Sequence, residues 1–235
     1  MLDPRFPKVR LGDLFALMTT AVVPMASPQV EFLHFSLPAF DTSGGPVRQL
    51  GREIESSKTS LTKKCVLVSK LNPRKPRVLV ADPATEPTPC CASTEFMVYV
   101  PRASDVSVSF YAWLLGASDF QRRLERVATG TTNSHVRARP PETLGWAVAF
   151  PPLSEQRQIA EILDTLDDAI RKAEQLIAKL KQVKQGLLHD LLIRGIDDNG
   201  ELRDPERHPS SSKTPCWASS RRPGKQAHSD LPLIS

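Results

Sequence analysis

No two of the four cysteines, Cys65, Cys90, Cys91 and Cys216, stand in the C-x-x-C spacing of a zinc or redox site. Free thiols in a reducing compartment are the expectation, with no metal bound. The first ten residues, "MLDPRFPKVR", lack the apolar stretch of a signal peptide, and no apolar run approaches the length of a membrane span. The sequence thus predicts a cytoplasmic protein with no membrane partner. Also missing are a G-x-x-x-x-G-K-[ST] loop for nucleoside triphosphates, a Gly-rich strand-to-helix turn for a methyl donor or dinucleotide, and an H-E-x-x-H metal motif. "LNPRKP" lacks the aromatic of an adenine-methyltransferase N-P-P-[YF] motif. Asp82 and Glu95 could pair as nuclease carboxylates, but no lysine stands beside Glu95. These absences argue against a self-contained enzyme and against a cofactor.

What is present is a folded chain. Hydrophobic residues make up 40% and charged residues 24%, the mix of a globular protein. Few aromatics (6%) and 21 prolines point to a front half rich in turns. A net charge of +5 is compatible with a nucleic-acid partner, although many proteins without one share it. Residues 1–150 read as a mixed α/β domain. Strands are predicted at 30–37, 65–70, 77–82, 95–100 and 146–150. Helices are predicted at 106–117 and 118–128, the second capped by Ser118 or Asp119. Gly- and Pro-rich breaks separate them at 41–46, 72–76, 82–89 and 129–134.

Two of these breaks carry useful chemistry. "SKLNPRKPR", residues 69–77, places Lys70, Asn72, Arg74, Lys75 and Arg77 in one turn between two strands. Its prolines limit the freedom lost on binding. Lysines suit phosphates and arginines suit guanine, although a solvated hairpin turn would look the same. "ATGTTNSHVRARP", residues 128–140, offers Thr131, Asn133, His135 and Arg137 around a permissive Gly130. Asn can pair with adenine and Arg with guanine, but a helix cap followed by a polar loop would have the same composition. A weaker candidate is residues 51–64, with Lys58, Lys63 and Lys64.

From 151 to 195 the sequence predicts one long helix. Pro151 and Pro152 bar an earlier start, Ser154 is the expected N-cap, and Gly195 is the expected C′ residue. Its roughly 40 residues span about 60 Å at 1.5 Å each. Ile159, Leu163, Leu166, Ile170, Ala173, Ile177 and Leu180 step alternately by four and three, the period of a left-handed coiled coil. Beyond Leu180 the stripe slips one position, continuing through Val183, Leu187 and Leu191 near Gly186. Acidic residues crowd the first half (Glu155, Glu161, Asp164, Asp167, Asp168), and basic ones dominate the second (Arg171, Lys172, Lys179, Lys181, Lys184, Arg194). That polarity suits an antiparallel mate of the same kind. So long an apolar stripe needs a second helix, and the chain offers no other like it. A coiled-coil adapter whose front domain docks on another protein is the competing class.

"PPLSEQRQIAEILDTLDDAI" resembles the L-P-P-x-x-E-Q opening of the conserved-region helix in the specificity (S) subunit of type I restriction–modification enzymes. "KQGLLHDLLIRGIDDNGELRDPERHP" resembles the segment that ends the first such helix. "FSLPAFD", "VLVSKLNPRKPRV", "CASTEFMVYVP" and "TGTTNSHVRARPPE" resemble one class of its target-recognition domain. The resemblance covers about residues 9–209. It implies an α+β fold with a target-recognition domain over 1–150 and a pairing helix over 151–195; over 196–235 an extended linker is expected, passing into a tail whose Ser-, Pro- and Arg-rich composition without periodicity predicts disorder.

The resemblance further implies a non-catalytic DNA-recognition subunit of a host-defence restriction complex. It would bind double-stranded DNA and dock a methylation (M) subunit and, through it, a restriction (R) subunit. A full S subunit carries two recognition domains and two antiparallel helices that set the spacing of two half-sites. Here the Ser-, Pro- and Arg-rich residues 210–235 stand where a second domain would begin. Either a frameshift or truncation replaced that half, or the chain is a half-subunit that homodimerises through its helix.

Overall fold

The computed structural model describes residues 6–129, 136–197 and 199–203. The predicted tail, along with Thr131, Asn133 and His135, lies outside them. In chain order the elements are β1 (Lys8–Arg10), α1 (Leu11–Leu14), β2 (Phe15–Met18), β3 (Ala21–Val22), β4 (Glu31–Phe35), α2 (Leu37–Ser43), β5 (Val47–Leu50), β6 (Lys58–Leu61), β7 (Cys65–Ser69), β8 (Val78–Ala81), β9 (Cys90–Ala92), β10 (Phe96–Pro101), α3 (Val108–Gly116), α4 (Ser118–Val127), α5 (Pro140–Leu144), β11 (Ala147–Ala149) and α6 (Leu153–Arg194). The chain divides into two compact units, Met1–Leu166 and Asp167–Ser235. The first helical turns after Leu153 therefore belong to the first unit.

The first unit is layered. One sheet orders its strands β2-β10-β7-β8, a second β3-β6-β9-β4-β5, and β1 pairs with β11 alone. The period-2 pleat assigns each side chain to a layer. Cys65, Leu67, Phe96, Val98 and Val100 meet Leu33, Phe35, Leu61, Cys90 and Ala92 in a core between the sheets. Val66, Val68, Met97 and Tyr99 point the other way, into a core shared with Tyr111 and Leu115 of α3 and Phe120 and Leu124 of α4. Strands buried on both faces read as unbroken apolar runs, which is why "CVLVS" and "FMVYV" stood out in the sequence.

The same alternation separates the adjacent cysteines. Cys90 faces the inter-sheet core, and Cys91 faces the outer cluster of Phe32 and Ile54. Cys65, Cys90 and Cys91 are free and buried. Burial pushes the Cys65 thiol up to about 12 and the Cys91 thiol up to about 11, so neither ionises at neutral pH. Beside Cys91 in the register stands His34. Its Nδ1 bonds Gln49 Oε1 at 2.7 Å, and burial lowers its pKa.

Several local expectations change. Strand β4 ends at Phe35, because Ser36 caps a helix absent from the sequence reading: its Oγ accepts from Ala39 N. That helix, α2, ends at Gly44, whose φ of 75° needs no side chain. The N-cap of α4 is Ala117, with no side-chain hydrogen bond, and not Ser118 or Asp119. Ser154 is likewise not the cap of α6; it lies inside the first turn, and Pro152 O receives the N–H groups of both Glu155 and Gln156. At the far end Gly195 does close the helix, with φ 72° and its N–H on Leu191 O. The expected linker begins with a closed turn: Ile196 bridges Leu202, and Asp197 Oδ1 accepts from Asn199 N and Glu201 N at 2.9 Å each.

Candidate nucleic-acid interface

The two cationic loops meet, although the residues that join them, Leu71 and Arg137, lie 66 apart in the chain. Leu71 and Arg137 form an antiparallel bridge. Asn72 N donates to Val136 O at 2.9 Å, and Ala138 N donates to Lys70 O at 3.0 Å. Arg137 also exchanges both backbone hydrogen bonds with Thr129, at 3.0 Å each. Backbone hydrogen bonds thus stitch the β7–β8 hairpin loop to the segment after α4.

Within the hairpin loop Asn72 takes φ 47°, the left-handed conformation that Asn tolerates better than most residues. Its carbonyl receives Lys75 N at 3.0 Å, closing a tight turn over Pro73 and Arg74. Arg74 and Lys75 are exposed, and Lys70 is half-buried.

Each cation other than Lys70 faces a carboxylate that the sequence reading did not assign to it. Arg74 Nε donates to Glu125 Oε1 of α4 at 2.9 Å. Lys75 Nζ meets Asp41 Oδ1 of α2 at 2.9 Å. Arg77 forms a two-point pair with the same Asp41, Nε to Oδ1 at 2.8 Å and Nη2 to Oδ2 at 2.9 Å. Arg137 sits side-on against Glu95, with Nε and Nη2 at 2.9–3.2 Å from its oxygens. The hydrogen bond from Arg77, reinforced by Lys75, holds the Asp41 carboxyl well below the usual carboxylate range.

Arg77 requires a correction. It is only 8% exposed, and its remaining end donates to the carbonyls of Leu71 and Lys75. It holds the loop in shape from beneath and has no free face for a ligand. The weaker candidate, residues 51–64, also changes: Lys58 is buried in β6 and donates to Ser56 O and Oγ. Lys64 pairs with Asp82 at 3.0 Å. Asp82 and Glu95 therefore serve separate ion pairs. Among the described residues no group of His, Cys, Asp and Glu converges as a metal would require. A cavity of about 300 Å³, lined by Leu114, Phe120, Arg123, Trp146 and Val148 among others, shares no residue with either loop.

The second candidate surface is α6. Ile159 packs against the core beside fully covered Ala160, so it is spent within the first unit and leaves the predicted seam. Leu163 is half-buried, and Leu166 is 55% exposed. In the second unit Ile170, Ile177, Leu180, Leu187 and Leu191 are all exposed, as are Leu176, Leu188 and Leu192. Ala173 is exposed as well. None of the helices among the described residues is long and apolar enough to cross a membrane.

Residues 55–182 match the family model of the type I restriction modification DNA specificity domain. Solved structures with the same fold include a chain from work on complex assembly and conformational transition of the type I R-M system (TM-score 0.62, 21% identity, 87% of this chain and 53% of that one). The HsdS subunit from Thermoanaerobacter tengcongensis aligns with TM-score 0.59 at 21% identity, over 87% of this chain and 52% of that one. A type I restriction-modification S subunit from M. genitalium aligns with TM-score 0.51 at 16% identity, over 82% and 47%. At these identities the likeness is one of fold. The chain spans about half the length of each.

Proposed function

Because the chain belongs to the type I restriction modification DNA specificity domain family, we propose that it supplies sequence recognition to such a complex and performs no chemistry of its own. The lobe built from residues 1–150 binds one DNA half-site, with the stitched loops turned to the major groove. Lys70, Asn72, Arg74, Lys75 and Arg137 form the contact set, joined by Thr131, Asn133 and His135. The observation that carries this reading is the Leu71–Arg137 bridge, which merges two separately cationic loops into one surface. A surface of this kind suits a polyanion: lysines neutralise phosphates, while planar amide and guanidinium groups read base edges.

The helix over 151–195 is the pairing element in this reading. Its exposed apolar side fits a second helix of the same type, antiparallel, so that the acidic opening half of each faces the basic closing half of the other. Two copies joined in this way form an isologous dimer carrying two identical lobes, suited to an inverted repeat. The methylation subunit, and through it the restriction subunit, would dock on that assembly.

The test is binding of the full chain, alone and with a type I methylation subunit added, to a pool of randomised duplexes. Recovery of an enriched motif, with affinity falling steeply with salt, supports the reading; each neutralised phosphate adds about 0.9 to the slope. Salt-insensitive binding with no enriched motif would favour the adapter reading, in which α6 serves only protein partners.

A further inference from the structure

Two arginines in the recognition lobe make the same side-on pair with a carboxylate, and the pairs end differently. In Arg77 and in Arg137 the parallel N–H groups of Nε and Nη2 face a carboxylate. This leaves the other parallel pair of the guanidinium, the outward N–H groups of Nη1 and Nη2. In Arg77 that end is closed off, because the side chain is 9% exposed and Nη1 donates to Leu71 O and Lys75 O. In Arg137 the side chain is 45% exposed, and no hydrogen bond among the described residues engages Nη1.

Arg137 is fixed at both ends. Its backbone is held between Leu71 and Thr129. Glu95, in turn, is anchored to the other loop, since its carbonyl receives Lys70 N at 2.9 Å, and its own N–H donates to Ser93 Oγ. Arg74 is held differently. Among the described residues it makes a single contact, Nε to Glu125, on a side chain 66% exposed, which leaves its guanidinium room to turn about that point.

We infer that Glu95 is a positioning residue for base recognition: by gripping the Nε/Nη2 side of Arg137, it presents the Nη1/Nη2 fork as a preset pair of donors for O6 and N7 of a guanine. Arg74, held at one point, is by contrast a phosphate anchor. The inference rests on the proposed DNA reading and deepens it by sorting the contact set into a reader and an anchor. The chemistry is specific to arginine. A lysine at 137 would keep the charge and lose the fork. The Glu95 carboxylate also disfavours loose phosphate contact near Arg137, because a phosphate would bring a second negative charge to the same guanidinium.

The experiment selects duplexes from a randomised pool with the full chain as wild type, Glu95→Gln, Arg137→Lys and Arg74→Gln. The expected result is a motif containing a guanine whose preference falls roughly tenfold in both Glu95→Gln and Arg137→Lys, at the same base pair, with other positions unchanged. Non-sequence-specific affinity should rise in Glu95→Gln, where a negative charge is removed. Arg74→Gln should keep the motif and lower the salt slope by about one. Because Arg137→Lys changes an exposed side chain and keeps its charge, it tests the position even if Glu95→Gln folds poorly. The inference is overturned if Glu95→Gln keeps the wild-type guanine preference, or if its losses spread evenly over all positions alongside a lowered melting midpoint. A wild-type chain that enriches no motif overturns the underlying DNA reading instead, which the first two results leave standing.

Discussion

Gln156 Oε1 accepts the backbone N–H of Ser107 at 2.8 Å. The same side chain donates through Nε2 to Pro151 O at 2.8 Å and Asp105 O at 3.1 Å. Gln156 itself is fully buried, and its bond to Pro151 O forms away from water, while the bonds to Ser107 and Asp105 lie at the edge of the packed region. One amide thus ties the first turn of α6 to the N-cap of α3 and to the strand exit before Pro152. Only an uncharged group with both a donor and an acceptor end fits there, which gives the glutamine of the "PPLSEQ" sequence a physical reason.

Replacing Gln156 by Ala is expected to lower the stability of the lobe by about 1–3 kcal/mol, because the buried Pro151 carbonyl and the part-buried groups of Ser107 and Asp105 lose their partner. Gln156→Glu should also destabilise at neutral pH, since its second carboxylate oxygen would face two carbonyls. It should recover in part on acidification, when the protonated carboxyl can donate once more. Urea unfolding of both variants against pH, with hydrogen exchange over residues 151–160, checks this. Wild-type stability in Gln156→Ala would contradict it.

The Asp41–Arg77 pair makes a pH-dependent contribution with a definite sign. The carboxyl is held below its ordinary value of 3.8 in the folded chain, so the unfolded chain takes up the proton first. The stabilisation is fully present above that ordinary value and is lost as the pH falls through the lower folded one. Because the carboxylate faces solvent, which screens the pair, Asp41→Asn should cost about 1 kcal/mol at neutral pH, chiefly through the buried Arg77 that loses its partner. It should also flatten the acid arm of the stability profile below about pH 4. Chemical denaturation midpoints between neutral pH and the acid limit measure both effects. An unchanged acid arm would show that Asp41 is not the group responsible.

Apolar runs were a good guide in most places, although the run "FALM" that forms β2 was not read as a strand. The runs at β7, β8, β10 and β11 and the helices α3, α4 and α6 were all legible. Strands β3, β5, β6 and β9 were not, because "AV", "VRQL", "KTSL" and "CCA" have no pattern of their own. Their order comes from partners far away, as when β9 runs parallel to β4. Helix α2 did leave a trace, the Ser36 cap and the Gly44 stop, within a segment read as strand and loop.

The candidate site divides in the same way. Both cationic loops could be picked out by composition. Their carboxylate partners could not, since Asp41, Glu95 and Glu125 lie 36, 42 and 51 residues from the arginines they hold. Arg77 and Arg137 looked equivalent in sequence, and only burial separates a loop brace from an exposed fork.

The apolar side of α6 yields the last prediction. Leu180 is 58% exposed and Leu187 is 50% exposed, a state that costs nothing only if a mate covers them. Covering one leucine is worth about 2 kcal/mol or more, and an isologous pair counts each substitution twice. Leu180→Ala should therefore weaken self-association by roughly 4 kcal/mol, about three decades in Kd. The folding of the recognition lobe should be untouched, because Leu180 belongs to the second unit. Gly186 is a useful control. A Cβ added there meets nothing within 4 Å, so Gly186→Ala should favour the helix by about 1 kcal/mol and leave the dimer intact. Sedimentation equilibrium on the full chain and both variants, at low and high salt, provides the measurement. Dimerisation that weakens with salt as well as with Leu180→Ala would fit a pairing in which acidic and basic halves meet alongside the apolar stripe. A wild-type chain that stays monomeric at micromolar concentration would rule out the second copy as the mate, and would leave a helix of another chain to fill the role.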